Sequence, residues 1–397
     1  MATQLAIAPE EQITPAATLI ERAERLANEI RARAVEIDHA NKLPDDIVQK
    51  FIDLELVSVL VPRLYGGHEY DLATASRIIA PVAAANLAVA WVLAFYIGHN
   101  WIHCQFPEQA QREIFADGPS PCSAGVLGPT LRLQKVEGGY RVSGRNGWNS
   151  GSPHAQWIMG AGMAFDGETP VGPLCVIVPA SDVEIIDSWD MAAMRATGSW
   201  DVVFDDLFIP EHRALSAMAL MNGETPGAKL HGNPLYSRPL TLITFVYCLA
   251  VFAGGVRGAA DAFEAVSRTR IGTNDKKAAV EKPSMHMRMG RSAAYASITD
   301  ALLRDTVAVA ESAQAATMDL SGRLAFKART AAVVDYCKEA VNDLVLGAGA
   351  NAFRTESPLH VAFSNINMIS VHAFFDLDSS MEAYGRSLLG LDPKSMA

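Results

Sequence analysis

Residues 131–144 read LRLQKVEGGYRVSG. Two short runs of β-type residues flank Glu137-Gly138-Gly139, the pattern of a hairpin with glycine at its turn. The runs WIMGAGMA (157–164), PLCVIVPA (173–180), VEIID (183–187) and WDVVFDDLFIP (200–210) continue in the same style. On either side the texture is different. Toward the N-terminus, Leu19, Ala23, Leu26, Ile30, Ala34 and Ile37 recur at helical spacing, with Thr14 placed to cap the helix and Pro15 suited to its first turn. A second, alanine-rich helical stretch runs over about 71–97. Beyond the connector GETPGAKLHGNP (223–234), long helical patterns last to the C-terminus. The reading is an α+β multidomain chain: a helical domain over 1–118, a β domain over 119–225 and a helical domain over 226–397.

Composition agrees with a large folded protein. Of 397 residues, 50% are apolar and 19% charged, which excludes a disordered chain. The net charge of -11 disfavours nucleic acid and anionic lipid as partners. The five cysteines are scattered without a CxxC pair, as expected of reduced thiols in a cytoplasm. The opening MATQLAIAPEEQ has no basic stretch ahead of an apolar core, so no secretory signal is expected. Two uncharged runs, 78–98 and 239–256, approach membrane-spanning length, but Pro81 and Asn86 in one and Thr241, Thr244 and Gly254-Gly255 in the other suit buried core helices. No membrane is expected as a partner.

Several segments bear on chemistry. GAGANA (347–352) has dinucleotide-fingerprint spacing, but it follows a helix-length segment instead of a strand, so a Rossmann site is not expected. His99 and His103 in HNWIH lie on one helical face, but Asn100 stands where a zincin carries Glu, and no metal is expected. GWNSGSPHAQW (147–157) gathers Trp148, Asn149, Ser150 and Ser152 around a glycine, an aromatic plane beside hydroxyls that suits a flat, polar-edged heterocycle or else a core tryptophan at a β-turn. In VHAFFDLD (371–378), a helix would place Asp376 on the same face as His372, forming an acid/base pair or a surface ion pair.

The order of LPDDIVQKFIDLELVSVLVPRLYGGHEYDL (43–72), PCSAGVLGPT (121–130), YRVSGRNGWNSGS (140–152), TGSWDVVFDDLFIP (197–210) and LVLGAGANAF (344–353) resembles the acyl-CoA dehydrogenase fold over nearly the whole chain. That resemblance implies an N-terminal helical domain, a middle β-barrel and a C-terminal four-helix bundle, usually assembled as a homotetramer. SPLHVAFSNINMISVHAFFD (357–376) and YIGHNW (96–101) are more similar to the group D flavin monooxygenases, such as the oxygenase component of 4-hydroxyphenylacetate hydroxylase. The tyrosine-glutamate-glycine stretch that commonly carries the dehydrogenase base is absent, and His372 stands in that neighbourhood.

The resemblance implies an oxygenase that uses reduced FMN or FAD and O2, through a C4a-hydroperoxyflavin, to hydroxylate an aromatic or indole-like small molecule. A separate NAD(P)H:flavin reductase would supply the flavin. It places Ser150 near flavin N5, His372 beside the C4a region, Trp148 along the ring, and His99 on the substrate hydroxyl. Asn149, Ser123 and Gly125 would border the flavin; Tyr96, Trp101 and Ser123 would meet the substrate. Arg270, Gly347 and Gly349 would make cofactor contacts across a subunit boundary. Ser364-Asn365 replaces an Arg-Asp pair frequent in relatives, and IGTNDKKAAVEKPSMH (271–286) lacks the usual phenylalanine-glycine and glutamine pattern of FAD-binding dehydrogenases, which leaves FMN open. The alternatives are an acyl-CoA dehydrogenase using FAD, with Asp376 or Glu382 as base, and a non-catalytic assembly protein of the same fold.

Overall fold

A computed structural model describes residues 13–271 and 276–395. Residues 1–12, the segment read above for a secretory signal, lie outside the described residues, as do 272–275 within the stretch after Arg270.

The chain opens with helices α1 (Ala16–Ala32), α2 (Ala34–His39), α3 (Asp45–Asp53), α4 (Leu72–Ala85), α5 (Leu87–His103) and α6 (Glu108–Ile114). The predicted apolar stripe is buried, but the expected cap is not formed. Pro15 holds the N-cap position of α1, and the Thr14 hydroxyl donates to Glu55 at 2.7 Å instead. The run expected as one helix over 71–97 is two. Asn86 sits in extended backbone and its side chain accepts from the amides of Ala88 and Val89, so a new helix starts there. Every residue of α5 is buried, so both faces of this helix pack against protein.

Strands β1 (Ser123–Val136), β2 (Gly139–Asn149), β3 (Trp157–Asp166), β4 (Thr169–Pro179), β5 (Glu184–Ile186), β6 (Trp200–Pro210) and β7 (Ala214–Ser216) form one sheet in the order β5-β6-β2-β1-β3-β4-β7. The hairpin read from the sequence is β1–β2, with Val136 opposite Gly139 and Gly138 at φ +78°. The sheet rolls around its own core, including Leu131, Leu133, Val142, Val176 and Phe204, until β4 approaches β6. The three-residue edge strands β5 and β7 pair only inward, which makes the barrel an open one.

Short helix α7 (Ala217–Asn222) precedes the connector, and α8 (Pro226–His231) lies within it. Then come α9 (Leu240–Thr269), α10 (Pro283–Glu311), α11 (Leu320–Ala348), α12 (Pro358–Ser370) and α13 (Leu377–Leu388). The first three form the long members of a bundle, and α12 and α13 pack on α11. Among the described residues, only α9 is long and apolar enough to cross a membrane, and 94% of its most apolar window is buried inside the chain. All five cysteines are free and buried.

Two interruptions of regular structure face the same space. β1 loses its even register with β3 between Gly125 and Leu131, where Pro129 has no amide to donate. β2 loses register with β6 between Asn146 and Asn149, where Trp148 takes a left-handed φ of +69°. Both irregularities border one cavity.

Candidate functional site

A cavity of about 490 Å³ opens where the sheet meets α5, α9 and the turn after α12. Its wall is mainly apolar and aromatic, and its volume lies in the ordinary range for a small-molecule site. Five residues singled out from sequence, His99, Gly125, Trp148, Ser150 and His372, line this one space.

Trp148 is 60% exposed, at the rim, with its ring edge-on to Trp189 at 5.1 Å. The bulge that turns Trp148 outward also sets Ser150, whose amide bonds back to the Trp148 carbonyl at 2.9 Å. Gly151 follows at φ +79°, and its carbonyl accepts the Tyr96 hydroxyl at 2.7 Å, which ties the loop to α5. The Ser150 Oγ lies 2.9 Å from the Ser199 Oγ, which lies 2.7 Å from the Thr197 Oγ1.

His99 is buried on α5, and its Nδ1 is 2.7 Å from the Ser123 carbonyl. A carbonyl can only accept, so Nδ1 carries the proton and Nε2 keeps a lone pair. Burial drives its pKa down to about 4, against a smaller opposing effect of that hydrogen bond, and the ring is neutral near pH 7. His372 has the reverse arrangement. Its Nδ1 accepts the Phe374 amide at 3.2 Å, so in the neutral ring Nε2 bears the proton. Burial brings this pKa to about 4 as well, with Trp91, Phe374 and Phe375 packed around the ring.

Other expected site residues lie outside the cavity lining. The predicted His372–Asp376 helical pair does not form. Helix α12 ends at Ser370, His372 caps a single 3-10 turn, and Asp376 caps α13 by accepting the Ser379 amide at 2.8 Å. Asp376 is solvent-facing, its pKa lowered by the Ser379 hydrogen bonds, and it does not line the cavity. Ser123 is buried behind His99, with its hydroxyl 3.0 Å from the His103 Nε2. The Asn149 side chain donates to the Asn146 and Trp200 carbonyls and fastens β2 to β6. Tyr96 is buried against Gly151, and the Trp101 indole donates to the Leu235 carbonyl at 3.2 Å, so both serve packing. Arg270 donates to the Ala348 carbonyl at 2.6 Å beside Gly349, and this group, with Gly347, stands apart from the cavity within one chain.

The structure adds Thr197, Ser199, Met194 and Trp189 to the wall. Their segment was legible only as a strand entry, although two small hydroxyl residues beside a glycine in TGSW carried the signal. Asn365, noted above only as a departure, is buried. It accepts the Met194 amide at 2.6 Å and donates to Asp38 at 3.3 Å, joining α12 and α2 to the cavity wall. No carboxylate lines the cavity among the described residues, and no cluster there could hold a metal.

The site thus offers an aromatic rim, a hydroxyl, one imidazole acceptor and one imidazole donor in a mainly apolar cavity. Comparison with known proteins agrees with that chemistry. The family description "Acyl-CoA dehydrogenase, N-terminal domain" matches residues 17–116, and "Acyl-CoA dehydrogenase, C-terminal domain" matches 247–377. The chain is 36% identical to a pigment production hydroxylase of Rhodococcus sp. (strain ATCC 21145), over 94% of this chain and 96% of the relative. It is 27% identical to the oxygenase component of an FADH(2)-dependent resorcinol hydroxylase of Rhizobium sp. (strain MTP-10005), over 96% and 97%. Among solved structures it is similar to XiaF from Streptomyces sp., captured with FADH2 and glycerol, at a TM-score of 0.87 and 26% identity over 96% and 97%.

Proposed function

The chain belongs to the flavin-dependent monooxygenases of the acyl-CoA dehydrogenase fold, and from that premise we propose that it is the oxygenase component of a two-component system that hydroxylates an aromatic or indole-like small molecule. Reduced FMN or FAD comes from a separate NAD(P)H:flavin reductase, and O2 is the co-substrate. The observation that carries this reading is the convergence of Ser150, His372, His99 and Trp148 on one cavity.

The residues present fit a flavin ring. Trp148 offers a face at the rim, and the hydroxyl of Ser150 is available to an edge nitrogen. The apolar wall keeps water from a reactive adduct. A reduced flavin held there would supply the oxygen activation. His372, with its proton on Nε2, serves as the donor to the oxygenated side. His99, with a lone pair on Nε2, accepts a substrate O–H or indole N–H and raises electron density on the ring to be attacked. Arg270, Gly347 and Gly349 are proposed to complete the cofactor site across a subunit boundary in a homotetramer.

Mixing the protein with chemically reduced FMN and FAD under oxygen tests the reading, with absorbance following the flavin adduct. The expected result is an adduct whose decay is coupled to hydroxylated product when an aromatic substrate is present. Failure to form an adduct with either flavin, together with bleaching of oxidised FAD by an acyl-CoA, would instead support the dehydrogenase. Among the described residues no carboxylate lines the cavity, which disfavours that alternative, because α-proton removal needs such a base.

A further inference from the structure

Three hydroxyls on the cavity wall form a chain whose direction is set at one end. The Thr197 Oγ1 lies 2.8 Å from the Met194 carbonyl oxygen. Two oxygens that close must share a proton, and the carbonyl has none, so Thr197 donates its only one. Ser199, 2.7 Å from the Thr197 Oγ1, must then donate to Thr197. Ser150, 2.9 Å from the Ser199 Oγ, must in turn donate to Ser199. Thr197 and Ser199 are both nearly inaccessible to solvent, so water does not compete for these protons. Ser150 is left with lone pairs and no free proton on the side that faces the cavity.

We propose that the Thr197–Ser199–Ser150 chain makes this site select reduced over oxidised flavin by presenting Ser150 as an obligate acceptor. The inference rests on the reading above that a flavin ring lies against Ser150. Reduced flavin carries a proton on N5 and donates it. Oxidised flavin has a lone pair there, which would face the lone pairs of Ser150. Thr197 and Ser199 are positioning residues: they act on flavin only through the direction of the Ser150 hydroxyl. A site built this way captures the reductase product from solution and releases the spent, oxidised form.

The test is anaerobic measurement of Kd for oxidised and for chemically reduced FMN and FAD, in the full-length protein and its variants. Wild type should bind the reduced form more tightly. In Ser199→Ala the Ser150 proton is free to turn toward the cavity, and in Thr197→Val the chain can reverse. Each variant should lower the ratio of oxidised to reduced Kd on the order of tenfold, and Ser199→Thr should restore it. A lost contact alone would weaken both forms together and leave the ratio unmoved. Binding of both forms with a ratio unchanged in Ser199→Ala and Thr197→Val overturns the inference while sparing the flavin assignment. Failure of wild type to bind either form overturns both.

Discussion

His99 and His372 line the same cavity in opposite neutral tautomers: His99 spends its Nδ1 proton on the Ser123 carbonyl, whereas His372 accepts the Phe374 amide at Nδ1 and keeps its proton on Nε2. One ring therefore presents an acceptor and the other a donor without any change in protonation. The backbone, which does not titrate, makes both assignments.

The role proposed for His99 predicts discrimination between substrates by their donor groups. A phenol or indole should be hydroxylated efficiently, and the matching methyl ether or N-methylindole should lose ~10²- to 10⁴-fold in kcat/KM. Product analysis on such matched pairs checks it. In His99→Ala the two members of a pair should react at similar, low rates.

Loss of the His372 donor should act on the oxygen side. His372→Ala should lower product formation ~10²- to 10⁴-fold, and Ser150→Ala ~10²- to 10³-fold. Peroxide release should rise in both as coupling fails. Simultaneous assays of hydroxylated product and hydrogen peroxide separate this from simple loss of flavin, which would lower both.

Both imidazoles have pKa values pushed from 6.5 down to about 4 by burial. The unfolded chain takes up these protons before the folded one does, so their contribution to stability is complete above about 6.5 and declines as pH falls toward 4. Denaturant midpoints across that window should fall. The fall should be shallower in His99→Asn, which cannot titrate.

Asn365 bridges Met194 and Asp38 across 171 and 327 residues of chain, respectively. Asn365→Ala leaves the buried Met194 amide unpaired and removes the hydrogen bond that offsets part of the burial-driven rise in the Asp38 pKa. A loss of ~1–3 kcal/mol is expected in chemical denaturation, together with weaker flavin binding as the Met194–Ser199 segment loosens.

Gly98 packs against the ring of Tyr247, where an added Cβ would lie 2.3 Å from Cε1. Tyr247 is also part of the cavity wall. Gly98→Ala should cost ~1–3 kcal/mol through overpacking and push the phenol inward. Two-ring substrates should then lose more kcat/KM than one-ring substrates, as side-by-side kinetics would show.

Much of the fold was legible because its signals are local. The β-type runs on either side of Glu137-Gly138-Gly139 and the uncharged run of α9 each lie within one element and are realised as read, whereas the stripe from Leu19 to Ile37 continues past a break at Arg33 from α1 into α2. Asn86 was overlooked as a boundary because alanine on both sides masks a capping residue in composition. Of the residues singled out from sequence, His99, Gly125, Trp148, Ser150 and His372 line the cavity. Ser123, Asn149, Tyr96 and Trp101 sit within a few residues of cavity-lining positions, and nearness along the chain does not decide which way a side chain faces. The His372–Asp376 pairing does not form because helical spacing was assumed across a segment where α12 had already ended.

From the residues alone came the helix–sheet–helix order, the aromatic, hydroxyl and imidazole side chains singled out as candidates and a buried, apolar α9. These depend on periodicity and on chemical inventory, both carried by neighbouring positions. Tertiary structure alone decided which nitrogen of His99 keeps its proton and which way the Ser150 hydroxyl points. Those outcomes rest on partners distant in the chain, Ser123 for His99 and Ser199 for Ser150, and a hydrogen bond has no direction until both of its ends are in place.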